Sequence, residues 1–144
     1  MGCDIHMVVE LRVGSKWIGV NGMHHVTTHK RREDDLGFAI PIASTRNYQR
    51  FARLAGVRGD GPEPKGLPED ISDLTRLEVE GWDGDGHSHS WLPLKEAARI
   101  WLETDRYDNE VDPESYEAKF PASHFFGVDD SRADDYRVVF WFDN

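Results

Sequence analysis

The sequence predicts an α+β fold, an antiparallel sheet with about two helices and long irregular loops. Two observations predict it. Apolar residues alternate with polar ones near the start of the chain, and a β-branched and aromatic run closes it, as in strands of a sheet. Between them, two segments carry apolar residues at helical spacing, and a stretch rich in glycine and proline separates them. The length of 144 residues predicts a single domain, residues 1–144.

The first strand is the clearest element. Every second residue of this strand is apolar, and we expect these residues to face one side of the sheet: Ile5, Met7, Val9 and Leu11. The turn at Gly14-Ser15 lets Lys16–Val20 return as a hairpin partner. Residues 21–35 are polar, and we expect a loop or an irregular hairpin there.

Two helices are expected. The first runs through Asn47–Ala55, is capped by Ser44 or Thr45 and ends at Gly56. The second is capped by Ser90 and carries an apolar stripe: Leu94, Ala97, Ala98, Trp101 and Leu102.

The remaining segments are less regular. Residues 56–70 contain four glycines and three prolines, which predicts a long loop. We expect a short turn of helix over residues 70–77 and a strand over residues 77–82. Irregular chain is expected over residues 105–135, and Tyr136–Phe142 is expected to form the last strand.

Charge and cysteine content restrict the function. The 27 acidic and 17 basic residues give a net charge of −10, which opposes sequence-independent binding of duplex nucleic acid. A small phosphorylated ligand in a local basic pocket stays compatible with that charge. Residues 1–10 do not resemble a secretory signal, no apolar run is long enough for a membrane, and one cysteine excludes an internal disulfide. We therefore expect a cytoplasmic protein, with Cys3 as a buried structural thiol rather than a nucleophile.

The densest polar cluster follows Trp82. If the chain is extended at His87 and His89, both imidazoles point to one face, about 7 Å apart along the backbone. Asp4 and His6 offer the same arrangement on the first strand. Two such pairs on adjacent strands would form a cluster of carboxylate and imidazole groups.

That cluster supports two chemistries. As metal ligands, Asp4, His6, His87 and His89 would hold a divalent ion such as zinc or manganese and activate a water molecule. Without a metal, His87 and His89 would act as general base and general acid on a phosphodiester. The alternative is that residues 83–86 form a turn and the histidines are simply solvated at its end.

Arginines surround the first helix. Arg46 and Arg58, near its two ends, are candidates to hold a phosphate, because a guanidinium group binds phosphate oxygens in pairs. Arg50 and Arg53 are expected on an exposed basic face of the helix. Tyr48 or Trp91 can stack on a nucleotide base.

Five short blocks carry a resemblance. They are Met-Gly-Cys-Asp-Ile-His at the start of the chain and residues 46–48, 55–59, 66–70 and 86–92. As a set they resemble a family of small, largely uncharacterised bacteriophage and prophage proteins. The resemblance covers residues 1–92 and implies a phage accessory protein in the bacterial cytoplasm, where such proteins sequester or degrade nucleotide signals of host immunity. The polar positions that the family shares map onto Asp4, His6, Arg46, Asn47, Tyr48, Arg58, Asp70, His87 and His89.

The sequence and the resemblance together predict a phosphodiesterase that degrades a cyclic nucleotide immune signal. The expected catalytic residues are His87, His89, His6 and Asp4. The expected ligand-binding residues are Arg46, Asn47, Tyr48, Arg58, Ser88 and Trp91. One alternative is a sponge that sequesters a small nucleotide without cleaving it, which suits a homo-oligomer; another is an acidic inhibitor of a protein partner. Neither duplex nucleic acid nor a membrane is an expected partner.

Overall fold

A computed structural model describes residues 2–23, 46–104 and 126–144. Its antiparallel sheet has the strand order β2-β1-β4-β3. The strands are β1 (Asp4–Val13), β2 (Lys16–Met23), β3 (His87–Pro93) and β4 (Tyr136–Asp143). The helices are α1 (Tyr48–Ala55), α2 (Asp73–Trp82) and α3 (Leu94–Glu103), with short 3₁₀ helices at Asp83–Asp85 and Asp130–Asp135. The predicted α+β class is confirmed.

Strands β1 and β4 form the buried centre of the sheet. They pair from Asp4 opposite Asp143 to Leu11 opposite Tyr136. Successive side chains of a strand point to opposite faces, so Ile5 and Phe142 share one face and His6 and Trp141 share the other. We call these the core face and the second face. Phe51 of α1 packs edge-on against Phe142, which places the main hydrophobic core on the core face.

Helix α1 confirms the first predicted helix. Its N-cap is Asn47, whose Oδ1 accepts the backbone N–H of Arg50 at 3.1 Å. Gly56 ends the helix with a φ of 67°, as predicted, because glycine adopts this left-handed conformation without strain. Asn47 therefore takes the place of the predicted caps, Ser44 and Thr45, which lie outside the described residues.

Helix α2 replaces the strand that the sequence predicts over residues 77–82, so that prediction is wrong. Ser72 caps the helix, because its Oγ accepts the backbone N–H of Thr75 at 3.1 Å. Leu77 is exposed, and Thr75 is the buried residue of the helix. Apolar and acidic residues alternate over residues 77–80, but this alternation does not correspond to a buried sheet face.

The second predicted helix forms without its predicted cap. Ser90 lies in β3, where its buried Oγ accepts the backbone N–H of Lys65 at 3.1 Å. Helix α3 starts four residues later, at Leu94, and its apolar stripe is buried as expected except for Ala98, which is half-buried. The last predicted strand is confirmed as β4, which is buried on both faces.

Residues 56–70 form the predicted long loop, whereas the other two irregular segments are tested only at their ends. Strand β2 extends to Met23, into the segment 21–35 predicted as a loop or an irregular hairpin, and residues 24–35 lie outside the described residues. Of residues 105–135, the described part carries a 3₁₀ helix at Asp130–Asp135. No helix among the described residues has both the length and the apolar character needed to cross a membrane.

Candidate functional site

Several predicted site residues meet where β1 begins and β4 ends. Arg46 donates from Nε and Nη2 to the two carboxylate oxygens of Asp4, at 2.8 and 3.2 Å. The Tyr48 hydroxyl accepts the backbone N–H of Cys3 at 3.3 Å. The guanidinium carbon of Arg58 lies 5.4 Å from the centre of the Tyr48 ring. We call Cys3, Asp4, Arg46, Tyr48 and Arg58 the strand-end cluster.

Charged groups in the strand-end cluster influence one another. The hydrogen bonds and charge of Asp4 raise the pKa of Arg46. Burial raises the pKa of the Cys3 thiol, although the charge and hydrogen bond of the Arg58 guanidinium act in the opposite direction. Cys3 lies in the hydrophobic core, so the prediction of a buried thiol is confirmed.

The cluster presents its cations and its ring to solvent. The Arg46 side chain is 54% exposed, and Tyr48 and Arg58 are exposed as well. Gly2 lies directly under Arg46, because a Cβ atom placed on Gly2 would lie 1.9 Å from Nη1. A side chain at this position would push the guanidinium group away from its present place.

Backbone strain falls on two predicted site residues. Among the described residues other than glycine, Arg58 and Ser88 have positive φ angles, 62° and 56°. This left-handed conformation is unfavourable for residues with a Cβ, and it often occurs at functional sites.

Strand β3 does not present its two histidines on one face. Its pairing with β4 shifts register between His87 and Ser90, and Ser88 in between is left-handed. The His87 ring stacks on Phe142 at 6.3 Å, whereas the His89 ring stacks on Trp141 at 6.2 Å. Since Phe142 and Trp141 lie on opposite faces of β4, the predicted common face is wrong.

The predicted four-group cluster is also not assembled. Strand β4 lies between β1 and β3, so the two pairs are not on adjacent strands. His6 is 3% exposed, its ring centre lies 4.0 Å from that of the tilted Trp82 ring, and its Nε2 contacts Asp143 at 2.8 Å. In the part of the chain that the structure describes, no group of three or more histidine, cysteine, aspartate or glutamate residues is placed to hold a metal ion. The structure therefore does not assemble the predicted zinc or manganese site from Asp4, His6, His87 and His89.

The two β3 histidines have different surroundings. His87 contacts Ser88 Oγ through Nδ1 at 2.9 Å and Asn144 Oδ1 through Nε2 at 3.3 Å. Burial lowers the pKa of His89, and the charge of His87 lowers it further. His89 is therefore a mainly neutral imidazole at neutral pH.

Asn47 has a structural role instead of the predicted ligand-binding role. It is 4% exposed, and besides capping α1 it donates from Nδ2 to the backbone oxygen of Thr104 at 2.7 Å. Arg50, expected on an exposed face, is buried and donates to Thr104 Oγ1 at 2.9 Å and to the Trp101 backbone oxygen at 3.0 Å. Arg53 is exposed as expected and pairs with Glu103.

Two cations lie close to the half-buried Trp91 ring. The Lys65 Nζ atom lies over its ring at 4.2 Å from the ring centre, and the Arg137 guanidinium carbon lies at 6.0 Å. The Tyr48 ring has one such neighbour, the Arg58 guanidinium carbon at 5.4 Å, and so has fewer cations near it than Trp91 has. Of the two predicted stacking residues, Tyr48 is the one beside the phosphate-binding candidates.

A buried polar network on the second face is missed by the sequence reasoning. Glu10 accepts hydrogen bonds from Arg137 Nε at 2.6 Å, the Ser72 backbone N–H at 2.6 Å and Thr75 Oγ1 at 2.7 Å. Arg137 also donates from Nη1 to Asp70 at 3.0 Å. We call these five residues the Glu10–Arg137 network. The sequence does contain an indication of this network, because the alternation of the first strand places Glu10 on the same face as His6.

Asp70, which the sequence analysis expects to be a functional position, belongs to this network. Its hydrogen bond with Arg137 lowers the pKa of its carboxyl group. Its second carboxylate oxygen accepts the Trp17 indole N–H at 3.1 Å. These contacts fix residues 70–72 and α2 to the second face, which is a structural role.

No family model, curated protein or solved structure matches this chain. The interpretation of the site therefore depends on its geometry and on the chemistry of its residues.

Proposed function

We propose that the protein binds a small nucleotide through its phosphate at the strand-end cluster and sequesters it. The observation that carries this proposal is the convergence of two guanidinium groups and an exposed aromatic ring: Arg46, Arg58 and Tyr48. Guanidinium groups bind phosphate oxygens with paired N–H groups, and an aromatic ring stacks on any nucleotide base.

The fold holds these groups in place before a ligand arrives. The Tyr48 hydroxyl is bound to the backbone of Cys3, and Asp4 fixes the Arg46 guanidinium with two hydrogen bonds. Arg58 occupies its position in a left-handed backbone conformation. Preorganisation of this kind lowers the entropic cost of binding.

Sequestration is favoured over cleavage because the described residues do not form either arrangement that the sequence predicts for cleavage, the pair of histidines on one face or the metal site. His87 and His89 lie against opposite faces of β4, and no described group of side chains is placed to hold a metal ion. The resemblance to bacteriophage proteins supports a nucleotide signal of host defence as the ligand and the bacterial cytoplasm as the location.

A phosphodiesterase is the second candidate, and the position of His87 favours it. Phe142 of β4 pairs with Ile5 on one side and with His87 on the other. His87 therefore lies two strand spacings, about 10 Å, from the start of β1. A nucleotide held at the strand-end cluster can reach that far, which would let His87 act as the acid–base group.

Calorimetric titration with a panel of linear and cyclic nucleotides tests the proposal. We expect the wild type to bind at least one of them, and Arg58→Ala and Arg46→Gln each to weaken binding about tenfold, the loss of roughly one charged hydrogen bond. Arg12→Gln is the control, because it removes the same charge from the far end of β1. Failure of the wild type to bind, or equal binding by all variants, would contradict the proposal.

Recovery of the ligand separates the two candidates. After incubation, the protein is denatured and the released nucleotide is analysed by chromatography. Intact ligand supports sequestration. Cleaved ligand, with cleavage lost in His87→Ala and retained in His89→Ala, identifies the phosphodiesterase instead. Light scattering on the same samples tests the expected homo-oligomer.

A further inference from the structure

Gly2 and Asp4 hold the Arg46 guanidinium group from two directions. A Cβ atom placed on Gly2 would overlap three atoms of that group, Nη1, Cζ and Nη2, so the backbone of Gly2 lies against its flat face. Asp4 accepts hydrogen bonds from Nε and Nη2 at 2.8 and 3.2 Å, along one edge of the group. The position of the guanidinium group is therefore set by an ion pair and by close contact with a residue that lacks a side chain.

A second edge of Arg46 is open to a ligand. In the part of the chain that the structure describes, Nη1 donates no hydrogen bond, and the Arg46 side chain is 54% exposed. A guanidinium group binds phosphate oxygens with two parallel N–H groups, and Nη1 and Nη2 form an edge that can do so. A phosphate can therefore contact Arg46 through this edge while the pair with Asp4 stays intact.

A side chain at position 2 would change the position of Arg46 more than the stability of the fold. Atoms that are not bonded to each other need about 3.5 Å of separation, so a Cβ atom on residue 2 would move the guanidinium group by more than roughly 1 Å. The group is the end of a flexible, exposed side chain, so it can move at little cost to folding. Its hydrogen bonds to Asp4 would then be bent or lost, and the open edge would point elsewhere.

We infer that Gly2 is a positioning residue for the phosphate of the ligand: because it has no side chain, the Arg46 guanidinium group lies flat on the backbone and presents its Nη1–Nη2 edge. This inference deepens the proposed nucleotide binding and rests on it. A long arginine side chain loses rotamer freedom when it binds, and a group that is already held in place loses less. Gly2 thus contributes to affinity without offering the ligand a side chain of its own.

A double-mutant cycle between Gly2 and Arg46 tests this inference, with inorganic phosphate as the probe. In an NMR titration we expect Gly2→Ala to bind phosphate about threefold to tenfold more weakly than the wild type, up to the loss expected for Arg46→Gln. Gly2→Ala/Arg46→Gln should bind no more weakly than Arg46→Gln alone, because residue 2 then has no guanidinium group to position. Gly84→Ala is the matched control, because a Cβ atom placed on Gly84 meets no atom within 4 Å.

The NMR signal of the Arg46 Nε–H group gives a second readout, which needs no ligand. In the wild type the hydrogen bond to Asp4 should slow the exchange of this proton with water and make its signal visible. We expect the signal to be shifted or lost in Gly2→Ala and retained in Gly84→Ala. The urea midpoints of both variants should stay close to that of the wild type, which separates a loss of position from a loss of folding.

Several results would overturn the inference while nucleotide binding stands. They are no phosphate binding by the wild type, equal affinity in Gly2→Ala and the wild type, the same loss with and without Arg46, and an unchanged Arg46 signal. A clearly lowered urea midpoint of Gly2→Ala would also overturn it, because Gly2 would then be needed for folding. If no nucleotide binds to the wild type, the proposed function itself is wrong and the role of Gly2 falls with it.

Discussion

The two ends of the β1–β4 pair carry the same kind of interaction in opposite surroundings. At one end, Glu10 and Arg137 are buried, at 0% and 5% exposure, and Asp70 is the exposed member of their network. At the other end, Asp4 and Arg46 form a paired contact in which the arginine side chain is 54% exposed. Both are carboxylate–guanidinium pairs, and both involve polar positions of β1 that point to the second face.

The difference shows that burial, and not residue type, decides what such a pair can do. The carboxylate of Glu10 has lost its water and is compensated by several donors, so removal of one partner leaves a buried charge unbalanced. The exposed pair exchanges partners with solvent at little cost. One pair therefore holds α2 to the sheet, and the other is available to a ligand.

The largest expected effect comes from removing the buried cation. Arg137→Met leaves the Glu10 carboxylate buried without its charged partner and should lower the free energy of unfolding by about 3–5 kcal/mol. Urea denaturation followed by tryptophan fluorescence measures the change. Adding Glu10→Gln to that variant should recover part of the loss, because the unbalanced charge is then removed as well.

The same substitution at the exposed end is the matched control. Arg46→Met should leave the urea midpoint close to that of the wild type, because Asp4 is then solvated by water instead of being left in a dry interior. Similar losses of stability in Arg137→Met and Arg46→Met would mean that burial does not separate the two ends.

A smaller effect is expected from the strained backbone of Arg58. Glycine tolerates a φ of 62°, whereas alanine retains the steric penalty, so Arg58→Gly should be more stable than Arg58→Ala by about 1 kcal/mol. Both variants lack the guanidinium group, so their difference isolates the backbone contribution. Both should lose nucleotide affinity equally, as titration can show.

The reverse order would contradict this account of Arg58. An alanine variant as stable as the glycine variant would mean that residue 58 relaxes out of the left-handed region in solution. Arg53→Gly against Arg53→Ala is the control: inside helix α1 the glycine variant should be the less stable, by about 1 kcal/mol.

Local patterns in the sequence predicted the elements that make up the candidate site. Alternation placed Asp4 and His6 on one face of β1, and the spacing of apolar residues with Gly56 placed Arg46 and Arg58 near the two ends of α1. The same rule failed at His87 and His89, because alternation assumes a regular strand and Ser88 interrupts β3 with a bulge. The position of a bulge depends on pairing with β4, which local sequence does not show.

Long-range pairing explains the other differences. Glu10 and Arg137 are separated by 127 positions in the chain, and the contacts of Ser72 and Thr75 with Glu10 span 62 and 65 positions. Sequence reasoning identified Glu10 as a polar residue in an alternating strand, for which exposure to solvent is the usual outcome. The partners that make its burial favourable come from two other elements, and only the assembled sheet brings them together.

The smallest expected effect is the pH dependence of stability that arises from His89. This residue has no carboxylate partner among its described contacts, so it tests whether burial alone determines the charge state of a side chain. Burial and the charge of His87 lower the pKa of His89, so the folded protein binds fewer protons there than the unfolded chain. Stability should therefore fall as the pH drops below about 6.5, the ordinary value for histidine, and this acid dependence should be weaker in His89→Gln.

A titration of the imidazole proton signals by NMR should place the pKa of His89 below that value. His87→Gln should raise the pKa only part of the way, because burial remains, whereas Arg12→Gln should leave it unchanged. A His89 pKa at or above the ordinary value would show that water reaches this imidazole, and burial would then control charge only within the Glu10–Arg137 network.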